Sequence, residues 1–131
     1  MDTKEAVTQF CEAFATGDLD IALTYLSEDC CYHNIPYKPL QGHAEIRREL
    51  SHFMGILGGQ ILEIRNQVAE GNVVMNERLD RYPNPPGRAP FELPVTGVFV
   101  FRDGKIVEWR DYFDTAQLAE GLGQSGAPPG A

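Results

Sequence analysis

The chain has 131 residues, 43% of them hydrophobic and 10% aromatic, which predicts one folded domain around one core rather than a disordered segment. Its formal net charge of −8, with no basic cluster, excludes the electrostatic profile of a nucleic-acid or anionic-membrane binder, since both reward gathered Lys and Arg. No apolar run approaches the roughly 18 residues of a membrane helix, and the polar start Met1–Glu5 has no secretory apolar core.

The first helix is marked by Asp2-Thr3-Lys4-Glu5, a capping box, and by Val7, Phe10, Cys11 and Phe14 at helical spacing. Gly17 stops it, and Asp18 caps a second, short helix carrying Leu19, Ala22, Leu23 and Leu26. Glu28 to Ile35 reads as a strand closed by Pro36, with Cys30, Tyr32 and Asn34 on one face and Cys31, His33 and Ile35 on the other. After the loop Pro36–Pro39, the Gln41-Gly42-His43 turn opens a third helix. Its apolar stripe is Ile46, Leu50, Phe53 and Leu57, and Gly58-Gly59 ends it.

From Gln60 the period changes to two. Leu62, Ile64 and Val68 are expected on one face, and Glu63, Arg65 and Gln67 on the other. The turn Glu70-Gly71-Asn72 makes the next strand, Val73 to about Arg81, its hairpin partner. The stretch Tyr82 to Pro90 holds four of the nine prolines and cannot be regular structure. Leu93 to Arg102 is a strand with Leu93, Val95, Gly97, Phe99 and Phe101 on one face. Arg102-Asp103-Gly104-Lys105 is a hairpin turn into a last strand, Ile106 to Phe113. A short helix is expected over Thr115–Leu122, and the Gly, Pro, Ala and Ser residues of 123–131 are expected to form a flexible tail. Residues 1–131 thus form one domain. The class is α+β: a curved, mixed, mostly antiparallel sheet around a pocket, with three to four helices packed on it.

Two strands carry polar groups where apolar ones are the rule. In the third, Asn76, Arg78 and Asp80 share a face, and burying such groups costs several kcal/mol unless they pair. In the last, Val107, Trp109, Asp111 and Phe113 share the apolar face, opposite Ile106, Glu108, Arg110, Tyr112 and Asp114, which are expected to meet solvent. A carboxylate between Trp109 and Phe113 must be paired, hold its proton to unusually high pH, or both. An Arg between two carboxylates can hold them together with one shared proton, making one an acid and the other a base. Tyr32 and Asn34 can each hold a small molecule by hydrogen bonds. The bland readings are an exposed salt-bridge strand, a solvated strand end, a core tyrosine and a turn asparagine.

Other chemistries lack support. The three cysteines are an odd number without CxxC spacing, which suggests no disulfide framework or zinc site and a reduced, cytoplasmic setting. The histidines, His33, His43 and His52, lack ligand spacing and are expected to have surface roles, so no metal is expected. No glycine-rich phosphate loop follows a strand, and Ser27, Ser51 and Ser125 lie outside any nucleophile elbow, so no cofactor and no serine triad are expected.

In combination, Tyr32-His33-Asn34-Ile35-Pro36, Asn76-Glu77-Arg78-Leu79-Asp80, Leu93 to Phe99, Asp103-Gly104-Lys105-Ile106 and Trp109 to Asp114 resemble the limonene-1,2-epoxide hydrolase family. The resemblance runs from the first helix to about Asp114. It implies a cone-shaped NTF2-like fold, shared with ketosteroid isomerases and SnoaL-type proteins, and a homodimer joined by the sheet face opposite the pocket. It further implies that Asp111, Tyr32 and Asn34 hold a nucleophilic water, with Asp111 taking its proton. Asp80 would donate a proton to the epoxide oxygen, and Arg78 would bridge the two carboxylates. The implied partners are a small epoxide and water, with neither metal nor cofactor. Trp109, Phe113, Val95, Val107 and Phe99 are expected to line the apolar pocket. The same fold also hosts proton-transfer isomerases and non-catalytic binding modules. Arg78 argues against the isomerase, because a fixed cation favours an ionised carboxylate.

Overall fold

In the computed structural model, which describes residues 2–123, helix α1 (Thr3–Ala15) starts where the sequence supplies a cap: Asp2 accepts the Glu5 N–H at 3.1 Å. Helix α2 (Leu19–Leu23) is capped in the same way by Asp18. The chain then runs through β1 (Leu26–Asn34), β2 (Leu40–Gln41) and helix α3 (Gly42–Leu57). A meander follows: β3 (Ile61–Glu70), β4 (Val73–Tyr82), β5 (Phe91–Arg102) and β6 (Lys105–Tyr112), closed by helix α4 (Thr115–Gly121). The β5–β6 turn works because Asp103 and Gly104 both take positive φ, 52° and 80°, matching the twist of a two-residue hairpin.

The six strands form one sheet in the order β2-β1-β6-β5-β4-β3, antiparallel throughout except for β1 beside β6. This is the mixed α+β architecture expected. The parallel pair sets Tyr32 opposite Trp109 and Asn34 opposite Asp111. It brings the Tyr-x-Asn motif to the lone carboxylate across about 80 residues of chain.

The core falls into two apolar clusters. The first gathers Val7, Phe10 and Phe14 of α1, Leu23, Ile46, Leu50, Phe99, Ile106 and Trp109. Burying each such side chain contributes about 1.5–3 kcal/mol. Phe10 meets Trp109 edge to face, with ring centroids 4.9 Å apart. The second cluster joins Leu57, Tyr82, Leu93, Val95, Leu118 and Leu122, so α4 packs at the opposite end of the cavity from α1.

Two β-bulges overturn simple alternation. Ile64 lies opposite Arg78 but Asn66 opposite Glu77, so Arg65 is an extra residue and every side chain after it changes face. Val68, expected with Leu62 and Ile64, is therefore turned outward and 66% exposed, while Gln67 points inward. In β6, Glu108 pairs with Val100 but Ile106 with Phe101, which leaves Val107 as the extra residue. Ile106, expected to meet solvent, is fully buried. Two of the three histidines also differ from expectation: His33 and His43 are half-buried and donate through Nε2 to the carbonyls of Tyr37 (2.8 Å) and Leu26 (3.0 Å), whereas His52 is exposed as expected. The expected tail lies outside the described residues, Gly123 excepted.

Candidate active site

A pocket opens between the two apolar clusters, and its polar floor is built by β4, β1 and β6. Arg78 is its centre, 2% exposed. Its Nε and Nη2 donate to Asp80 Oδ1 and Oδ2, both at 3.1 Å. Its Nη1 and Nη2 donate to Asp111 Oδ1 and Oδ2, both at 3.2 Å. The fifth N–H, on Nη1, goes to Asn76 Oδ1 at 3.2 Å. All five guanidinium donors are thereby used, which is what burial of such a group demands. Burial alone would lower its proton affinity, but the flanking charges of Asp111 and Asp80 outweigh it and push Arg78 well above its ordinary value.

The two carboxylates are not equivalent. Asp111 receives a third donor, Trp109 Nε1–H at 3.0 Å on Oδ1, whereas among the described residues Asp80 accepts from Arg78 alone. Burial raises Asp80 above the usual carboxylate range; Arg78 opposes this, and the Asp111 charge reinforces it. Tyr32 lies flat on Trp109, ring centroids 3.7 Å apart and planes 13° from parallel, and its hydroxyl donates to Asn34 Oδ1 at 3.0 Å. Burial, with the Asp111 charge behind it, holds the Tyr32 phenol well above its usual value, so it stays a neutral donor.

All five residues singled out from the sequence, Tyr32, Asn34, Arg78, Asp80 and Asp111, line this one pocket. Trp109, Phe113 and Val95 line it as expected. Val107 and Phe99 do not, the former displaced by its bulge and the latter sealed in the core. The apolar wall also draws on Leu50, Phe53 and Leu57 of α3 and Leu118 of α4, with Leu62 of β3 and Leu93 of β5. Sequence reasoning missed Tyr82, a buried phenol in the wall two residues beyond Asp80 and on the same strand face, which its placement in a proline-rich loop had hidden. It missed Gly97 as well. This glycine sits opposite both Asn76 and Asp111, where a Cβ would strike Arg78 Nη1 and come within 2.9 Å of Asn76 Oδ1. A glycine inside an apolar strand was the available signal. Among the described residues no three His, Cys, Asp or Glu side chains converge as metal ligands would, and burial pushes the Cys11 thiol up to about 12, where it is no nucleophile at neutral pH.

Residues 1–123 match the family model described as the limonene-1,2-epoxide hydrolase catalytic domain. The chain belongs to that family. It is thus an enzyme of the limonene-1,2-epoxide hydrolase type. It is 33% identical over 117 residues to epoxide hydrolase EphG of Mycobacterium tuberculosis, an alignment covering 89% of this chain and 76% of that protein. A solved M. tuberculosis LEH-like epoxide hydrolase superposes with a TM-score of 0.73 at 32% identity, covering 90% of this chain and 86% of the other. An NTF2-like protein of unknown function from Burkholderia pseudomallei superposes with a TM-score of 0.84 at 22% identity, over 93% and 98% of the two chains, and shows the shared fold.

Proposed function

We propose that this enzyme adds water to a lipophilic, limonene-oxide-like or cyclic epoxide to give a vicinal diol in one step, without a covalent enzyme intermediate. The observation that carries the reading is the doubly bidentate bridge of Arg78 to Asp80 and Asp111 at the floor of an apolar pocket. Two carboxylates beside one cation leave room for one proton, and in this reading Asp80 carries it, being the carboxyl with fewer donors and the one that burial raises. A water held by Tyr32, Asn34 and Asp111 then attacks an epoxide carbon. As its oxygen bonds to carbon, its proton passes to Asp111, the strained C–O bond breaks, and Asp80 delivers its proton to the leaving oxygen. After product leaves, proton exchange with solvent returns Asp111 to the ionised form and Asp80 to the neutral one. Ring strain drives the opening, and the apolar wall suits a hydrocarbon epoxide and favours neutral Asp80.

Incubation with limonene oxide and cyclohexene oxide in ¹⁸O-water tests this. One labelled oxygen in the diol is expected, and Asp80→Asn lowers turnover about 10²–10⁴-fold. A folded Asp80→Asn variant that works at the parent rate overturns the mechanism, as does an epoxide left unchanged by the parent enzyme. The proposal extends to a homodimer. The outer sheet face, away from the pocket, carries four of the five large exposed apolar side chains among the described residues: Ile61, Val68, Met75 and Tyr112. Three unpaired cysteines fit a reducing, cytoplasmic setting, and among the described residues no helix is long and apolar enough to cross a membrane.

A further inference from the structure

Asn76 takes no part in the chemistry above, yet it is 2% exposed and bonded through both ends of its amide. Its Oδ1 accepts from Arg78 Nη1 at 3.2 Å, and its Nδ2 donates to Gln67 Oε1 at 3.1 Å. Gln67 Nε2 in turn donates to Thr8 Oγ1 at 3.0 Å and to the Lys4 carbonyl at 3.2 Å, both on α1. The direction of this chain is dictated from the helix. A backbone carbonyl can only accept, so it turns the Gln67 nitrogen toward α1 and the Gln67 oxygen toward Asn76. That oxygen can only accept too, so it draws the Asn76 nitrogen and turns the Asn76 oxygen onto the guanidinium. Gln67 reaches this place only because the Arg65 bulge reverses the faces of β3. Residue Gly97, between Asn76 and Asp111, leaves the space in which the Asn76 and Arg78 side chains meet.

We propose that Asn76 and Gln67 are positioning residues, which fix the rotation of the Arg78 guanidinium so that both its carboxylate partners are met squarely at once. Asn76 supplies a neutral acceptor for the one N–H that neither carboxylate takes. A third carboxylate there would compete for the cation, and an apolar residue would leave the donor unpaired, free to swing toward a neighbour. The kinetic consequence rests on the epoxide-hydrolysis reading; the structural consequence does not.

Two measurements on the same variants separate them. With cyclohexene oxide as substrate, Asn76→Leu is expected to lower kcat roughly 10–100-fold with KM within about twofold, because a small misplacement of reacting groups is costly in the transition state. Gln67→Leu is expected to fall in the same direction, and Gln67→Glu to recover most of the loss. Both lose the amide donor to α1, but only the carboxylate still accepts the Asn76 N–H, so a purely structural role would not tell them apart. Independently of turnover, the Arg78 Nη1 protons observed by NMR are expected to rotate and exchange slowly in the parent and faster in Asn76→Leu and Gln67→Leu. Unchanged Arg78 signals in both leucine variants overturn the inference, as does a lower Tm with kcat and signals intact. A parent that hydrolyses no epoxide, with Arg78 loosened in the variants, overturns the proposed reaction and supports the positioning role.

Discussion

At the residue scale the site turns on one carboxyl group. Asp80 is buried, shares its cation with Asp111, and is held above its usual range by burial first and by the Asp111 charge second. Its folded-state value therefore lies above the unfolded one of about 3.9. Protonation then favours the folded state: the contribution is fully present below the unfolded value and is lost as pH climbs through the raised one. Asp80→Asn cannot ionise and has no such loss. The difference in Tm between the variant and the parent is expected to shift in favour of the variant as pH rises above about 4 and through the raised value, measured by calorimetry at fixed ionic strength. The parent's kcat/KM falls over the window in which Asp80 ionises, because the ionised form has no proton to give. Parallel Tm curves for the two proteins across that window contradict the assignment of the proton to Asp80.

At the scale of elements, the polar floor is a strand product, and the apolar wall is shared between strands and helices. β4, β1 and β6 each contribute part of the polar floor, while α3 and α4 supply apolar cover. Gly121 of α4 lies against the Phe91 ring of β5, and a Cβ there would come within 2.5 Å of Cε2 and 2.6 Å of Cγ. Gly121→Ala is expected to lift α4 from β5 and withdraw Leu118 from the wall. KM for a hydrocarbon epoxide then rises several-fold with kcat little changed, since no reacting group moves; steady-state kinetics at several chain lengths of substrate checks it. This division also decides what could be read beforehand. The motifs Tyr32-x-Asn34 and Arg78-x-Asp80 were legible because strand period two puts each pair on one face, and Asp111 because a carboxylate stood between Trp109 and Phe113. The bulges at Arg65 and Val107 were not legible, since nothing local distinguishes an extra residue in a ladder from a paired one. Strict alternation misplaces Val68, Ile106 and Val107 for that reason alone, and turns Gln67 to the wrong face. The Tyr32–Trp109 stack needed the parallel β1–β6 register, which depends on the whole chain.

At the scale of the whole molecule, a sheet with its pocket on one side leaves its other face to be accounted for. That face presents Val68 on β3 at 66% exposure, Met75 on the adjoining β4 at 47% and, across β5, Tyr112 on β6 at 44%. Val68 and Met75 lie directly opposite each other in the ladder, and Val98 beside Met75 is already 7% exposed. Single exposed apolar residues are ordinary, but several on one sheet face are what the proposed interface between two copies would bury. Two copies related by a two-fold axis would each bring this patch to the other. Against that stands the net charge of −8 on each copy, a repulsion that dissolved salt weakens. The two effects give opposite responses to ionic strength for a charged and an apolar contact. An interface made of Val68, Met75 and Tyr112 predicts that sedimentation velocity shows a dimer whose dissociation constant decreases as salt is raised, whereas one held by ion pairs would loosen. The double variant Val68→Glu, Met75→Glu alters only exposed positions, so the fold is expected to survive with an unchanged circular dichroism spectrum. It is expected to sediment as a monomer at every salt concentration. A dimer that persists in that variant places the interface elsewhere on the molecule.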